Sequence, residues 1–131
     1  MRNTRNKCGN RKATICGEVF DSQREANRYF ELVLLQKAGK IRDLQRQVRY
    51  ELVPTQREPD TIGKRGGIHK GKLIEREVDY VADFVYIDNE TGEKVVEDAK
   101  GYRDPSSAVY AKFVIKRKLM LWIHGIRIRE V

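Results

Sequence analysis

A chain of 131 residues is enough for one domain around one modest core, and 40% hydrophobic content excludes a disordered tail. No run approaches the ~18 apolar residues of a membrane span, and no apolar segment follows the basic N-terminus, so a soluble, cytoplasmic protein is expected. The formal net charge of +8 points to a polyanionic partner, most commonly nucleic acid. The excess is uneven. Arg2, Arg5, Lys7, Arg11 and Lys12 stand without an acid in residues 1–12, and Arg57, Lys64, Arg65, Lys70 and Lys72 face only Glu58 and Asp60 in residues 57–72. Both stretches suit a phosphate backbone, although a solvated tail and loop would have the same composition. Cys8 and Cys16 cannot complete a four-ligand zinc site without His69 and His124, which lie far off in sequence, so free thiols are expected.

Residues 1–12 read as a flexible basic arm of a single domain spanning 1–131. Lys12 to Phe20 suits a short strand or hairpin turning at Gly17. Ser22-Gln-Arg-Glu25 has the form of a capping box, opening a helix that runs to about Lys37 and ends at Gly39. Residues 45–53 read as a strand ended by Pro54, and residues 54–72 as a flexible, basic, Gly-rich loop. A long alternating strand follows over 73–87, then turn chemistry at 88–92 and a strand over 94–100, so these two strands should pair as a hairpin. A second helix is expected over 106–123. Gly125 breaks it, and residues 126–131 alternate as a last strand.

The chemistry-bearing residues gather on these elements. Alternation puts Asp98 and Lys100 on one face of their strand and Glu97 on the other. An acid beside a lysine suits phosphodiester hydrolysis: the acid holds a divalent cation, and the lysine orients water and offsets charge on the phosphate. Asp83 sits in the apolar run Tyr80-Val-Ala-Asp-Phe84, where a carboxylate is unfavourable unless paired or metal-bound. The hairpin folds it towards Asp98, and a cation between the two would relieve their repulsion; a pairing of Asp83 with Lys100 would also serve. At ~100° per residue Glu25 aligns with Tyr29 and Leu32, facing inward, where it either joins a metal site or completes the capping box. On the second helix, Val109, Phe113, Met120 and Ile123 line one stripe. Lys116 falls inside that stripe, able to snorkel to an anion, and Lys112 lies at its edge, where a slight rotation would leave it solvated.

Together these residues resemble the PD-(D/E)xK nuclease superfamily: Asp83 on one strand, Asp98-Ala-Lys100 on the next, and Glu25 from the first helix. The closer resemblance is to small phage-encoded members likened to Holliday-junction resolvases. It is carried by Phe20-Asp-Ser-Gln-Arg-Glu-Ala26, Glu97-Asp-Ala-Lys-Gly101 and Lys116-Arg-Lys-Leu119, and spans about residues 18–131. Ala82 stands where many members carry a proline. The resemblance implies an α/β, restriction-endonuclease-like αβββαβ core with a mixed four-stranded sheet flanked by two helices. It implies Mg²⁺ or Mn²⁺ held by Glu25, Asp83, Asp98 and the Ala99 carbonyl, with Lys100 catalytic and Gln47 near the metal. DNA would be the partner, contacted by Lys64, Arg65, Lys70, Lys72, Lys112 and Lys116, and resolution of a junction by two symmetric cuts implies a homodimer. A phage protein of this kind would act in the host cytoplasm. The competing expectation is a basic DNA-binding module without catalysis, which leaves the inward acids unexplained.

Overall fold

Neighbouring residues of the central strands bury into different cores. Val85 and Val96 pack with Phe113 and Met120, whereas Phe84 and Tyr86 pack with Ala26 and Leu32. Such alternation requires a sheet covered on both faces. The computed structural model describes residues 13–15, 18–100 and 104–131 of the chain. The basic arm, Cys8, Cys16, Gly17 and Gly101 lie outside the described residues.

Strands β1 (Ala13–Ile15) and β2 (Glu18–Phe20) form the expected N-terminal hairpin. Helix α1 (Gln23–Lys37) starts at Ser22, whose hydroxyl accepts from the Glu25 N–H at 3.1 Å. It ends before Gly39, which takes a φ of +74° that costs glycine little. Strand β3 (Ile41–Val53) follows. After it come β4 (Gln56–Arg57), β5 (Thr61–Ile62), β6 (Ile68–His69) and β7 (Leu73–Glu75), then β8 (Val78–Asp88) and β9 (Lys94–Asp98). Helix α2 (Ala108–His124) is capped by Ser107 and by Gly125 at φ +68°, and β10 (Arg129–Glu130) closes the chain. The main sheet has the order β10-β9-β8-β3, with β10 parallel to β9 and the other pairs antiparallel. The architecture is therefore α/β, with a mixed four-stranded sheet and two helices.

Several boundaries differ from the sequence expectation. Strand β3 begins at Ile41 rather than residue 45, because a bulge between Arg42 and Gln45, with Asp43 at φ +56°, absorbs the residues that break alternation. The strand expected over 73–87 is divided at Arg76 and Glu77. The segment expected as a loop over 54–72 is a ribbon: β4 pairs with β7 and β5 with β6, prolonging the β3–β8 hairpin. Its glycines serve close approach. A Cβ on Gly71 would meet the Glu58 carbonyl oxygen at 1.7 Å, and one on Gly63 would meet the His69 ring at 2.3 Å. Helix α2 is rotated from the expected stripe. Val109 and Ile123 are exposed, while Phe113 and Met120 are buried with Tyr110 and Leu119 packed beside them. In that rotation Tyr110 and Arg117 both reach Glu130, at 3.0 and 3.2 Å.

One polar group ties α1 to the sheet. Glu97 is wholly buried, pointing away from Asp98 as alternation requires. Arg28 donates to both its oxygens at 3.0 and 2.5 Å, and the Tyr86 hydroxyl donates at 2.8 Å. Removing Arg28 leaves an uncompensated buried charge. Arg28→Ala is therefore expected to lower the unfolding free energy by about 3–5 kcal/mol. Urea denaturation measures this, and a loss below about 1 kcal/mol would mean that water reaches Glu97.

Candidate functional site

The facing of two strands reverses at one point. In β8, Tyr80 and Ala82 belong to the core beneath α2, but Phe84 and Tyr86 belong to the core beneath α1. In β3, Leu44 packs on the α1 side, whereas Val48, Tyr50 and Leu52 pack on the α2 side. The register stays continuous from Arg46↔Phe84 to Val48↔Ala82, so the reversal falls on Gln47 and Asp83, which lie across from one another. Gln47 takes a φ of +52°. A left-handed conformation at a residue with a Cβ costs about 1–3 kcal/mol and is held only where its surroundings impose it.

The candidate site residues converge there. The register Phe84↔Glu97 sets Asp83 beside the end of β9, where its Oδ2 accepts the Ala99 N–H at 2.8 Å. Ala99 thus meets Asp83 through its N–H. The Gln47 amide nitrogen lies 3.2 Å from Glu25 Oε1 and 3.5 Å from Asp83 Oδ1, bridging two acids from different elements. Glu25 is buried, and only the hydroxyl half of the capping box is formed at Ser22. Its carboxylate is turned towards Gln47 and Arg46, the latter at 3.6 Å. Asp98 is buried, accepts the Tyr80 hydroxyl at 2.6 Å and lies 2.9 Å from Lys100 Nζ. The Lys100 ammonium also sits 4.2 Å from the Phe113 ring centre. Lys100 lies past the last residue of β9, yet its N–H donates to the Val131 carbonyl, so the terminal residues of the chain hold the lysine's backbone.

Tyr80, Asp83, Asp98, Lys100, Lys112 and Lys116 line one cleft of about 290 Å³. Lys116 is half-buried and Lys112 exposed. Lys64, Arg65, Lys70 and Lys72 lie on the ribbon and do not line this cleft. Sequence reasoning missed Tyr80 and Arg46. Strict alternation puts Tyr80 and Asp83 on opposite faces of β8, and only the reversal brings both to the cleft. Arg46 stacks over Phe20 at 3.8 Å and pairs with Glu18 at 2.9 Å, contacts between segments far apart in sequence.

The electrostatics are strained in a consistent direction. Burial, then the neighbouring Asp98, pushes the Asp83 carboxyl up to about 7, against the pull of the Ala99 N–H. Burial also raises Glu25, with Arg46 opposing it. Burial and Asp98 raise the Tyr80 hydroxyl, which stays protonated as a donor. Both Asp98 oxygens are enclosed, Oδ2 by the Tyr80 hydroxyl and Oδ1 by the Lys100 ammonium at 2.9 Å. Among the described residues no group of three or more His, Cys, Asp or Glu side chains forms a metal cage. The donors fit a narrower role: two neighbouring carboxylates, Asp83 raised in part by Asp98, suit a hard cation that keeps several of its waters, as Mg²⁺ does.

Residues 5–126 match the family described as "Protein of unknown function (DUF1064)". The chain belongs to that family. No curated protein and no solved structure matches it.

Asp83 offers a test of the site's charge. With its carboxyl raised from 3.8 to about 7, the native state keeps a proton that the unfolded chain has already lost. Its contribution to stability therefore falls as pH rises through that window. In EDTA, Asp83→Asn should flatten the decline of unfolding free energy between about pH 4 and pH 7. A wild-type decline preserved in the variant would place the strain elsewhere.

Proposed function

We propose that the chain is a divalent-cation-dependent nuclease of the PD-(D/E)xK type that hydrolyses DNA phosphodiesters, with branched or Holliday-junction DNA as the leading substrate class. The observation that carries this reading is the convergence of Glu25, Gln47, Asp83 and Asp98-Ala-Lys100, from a helix and three strands, beside the end of β9. A basic module that only binds DNA has no use for acids there, because they repel phosphate.

Asp83 and Asp98 would hold Mg²⁺ or Mn²⁺, with Glu25 close by through Gln47. Bound there, the cation supplies an acidified water and offsets charge on the phosphate. Lys100 orients the attacking water from beside Asp98 and stabilises charge that develops on the phosphate oxygens. The Tyr80 hydroxyl fixes the rotamer of Asp98, and Lys112 and Lys116 draw the phosphate into the cleft. Paired cuts across a junction would require a homodimer.

The decisive measurement is cleavage of labelled branched, nicked and linear DNAs with Mg²⁺ or Mn²⁺. Asp98→Asn should lose at least about a hundredfold in rate while binding DNA as well as or better than wild type, because it loses a ligand and a charge that repels phosphate. Cleavage at the wild-type rate would place the chemistry elsewhere, and binding without cleavage by wild type would favour the non-catalytic module.

Tyr80 separates positioning from chemistry. Tyr80→Phe should keep the packing against Phe113 but lose about 10–100-fold in cleavage or metal affinity, as outer partners of metal ligands do. Raising the metal concentration should restore part of the rate. Full activity at low metal would leave the hydroxyl as a core hydrogen bond alone.

A further inference from the structure

The ribbon carries two isoleucines where no core covers them. Ile62 and Ile68 lie directly across from one another on β5 and β6, and are 80% and 76% exposed. The turn between them is closed by the Gly63 N–H donating to the Gly67 carbonyl at 2.7 Å, with Gly66 at φ +81°. Lys64 and Arg65 occupy that turn, and Lys70 follows β6 directly. The ribbon tip therefore presents a narrow apolar blade framed by cations.

The neck of the ribbon is built for stiffness. Gly71 packs against the Glu58 carbonyl too closely for any side chain, its N–H donates to Asp60 at 2.9 Å, and Arg57 donates to its carbonyl at 3.2 Å. The Asp60 carboxylate is occupied by that backbone donor. At the base, Arg49 joins Asp79 and Glu77, and the Thr55 hydroxyl donates to Glu77 at 2.6 Å. These ties hold the tip as an extension of the β3–β8 ladder.

We infer that the ribbon tip is a wedge that inserts Ile62 and Ile68 between bases at a discontinuity in DNA. The inference rests on the reading that DNA is the partner, and it supplies a physical basis for preferring interrupted over continuous DNA. Apolar side chains used in this way unstack a base step, and cations beside them hold the flanking phosphates. The unstacking cost is smallest where pairing or stacking is already broken, so a nick, gap or branch is favoured over continuous duplex. A protein partner fits less well, because the centres of protein interfaces are depleted of charge, and here Lys64 and Arg65 occupy the turn that joins the isoleucines.

The test places 2-aminopurine at the branch or nick of a synthetic DNA and in a continuous duplex, and measures fluorescence and affinity in EDTA, where no cleavage intervenes. Wild type should raise the fluorescence at the discontinuity and bind that DNA more tightly than duplex. Ile62→Ala/Ile68→Ala should lose the rise and about tenfold of the preference, while keeping its affinity for continuous duplex within about twofold. Both side chains are exposed, so the fold should survive, which circular dichroism checks. Preference and fluorescence unchanged in the double variant would overturn the wedge. A wild-type dimer that the double variant dissociates, with DNA binding unchanged, would overturn it by making the tip a contact between chains. Failure of wild type to bind any DNA would overturn the wedge and the proposed function together. Unstacking at the discontinuity without cleavage in Mg²⁺ or Mn²⁺ would sustain the wedge and overturn the nuclease.

Discussion

The reversal of facing at Gln47 and Asp83 is the constraint on which the rest of the structure depends. A regular strand sends alternate residues to fixed faces, so a carboxylate between Ala82 and Phe84 would have to lie on one covered face of the sheet. Because β3 and β8 reverse together, their register is kept and both cores are filled on either side of the break. The two residues at the break are released from both cores. They meet Glu25 from α1 and the end of β9 instead, so a local departure from β geometry becomes the place where distant segments join.

That joining leaves an electrostatic imbalance. Glu25 and Asp98 are buried and Asp83 is half-buried between them. The protein offsets this in part with its own donors: Arg46 at Glu25, the Ala99 N–H at Asp83, and Tyr80 and Lys100 at Asp98. The compensation is incomplete, because burial and the neighbouring Asp98 still push the Asp83 carboxyl up to about 7. The Arg28–Glu97 pair shows the contrast. That acid lies one residue from Asp98, is more deeply buried, and has both oxygens bonded. A single strand thus carries one acid sealed beneath α1 and one that lines the cleft.

Much of this was legible in the sequence, and the limits have physical causes. The caps at Ser22 and Gly125, the hairpin pairing β8 with β9, and the opposite facing of Glu97 and Asp98 follow from local rules, and the structure has them. Glu25 was balanced between capping and an inward role, and the contact with Gln47 needed a partner 22 residues away. Tyr80 stayed hidden because alternation is the rule by which strands are read, and the site sits where alternation fails. In the sequence the ribbon has the signature of a loop, because its glycines resemble those of flexible linkers. Gly71 is instead required by a backbone oxygen that no local pattern reveals. Val109 and Ile123 mislead for a related reason: the rotation of α2 follows the packing of Phe113 and Met120 against strands distant in sequence, which its own periodicity does not show.

The same ladder that carries the reversal also carries the ribbon. Strands β3 and β8 run from the Gln47–Asp83 break to Val53↔Val78, and the ribbon continues from that end. Between the two, Arg49, Asp79, Glu77 and Thr55 bind the strands together by side chains as well as backbone. Asp79 also lines the cleft that holds Asp83 and Asp98, so this clasp touches both the site and the base of the ribbon. The backbone pairing is interrupted between the main ladder and the ribbon pairs, and these side-chain ties span the interruption at the ribbon's base. In the proposed activity, a strand interruption seated on the tip would thereby stand in a set direction from the acids.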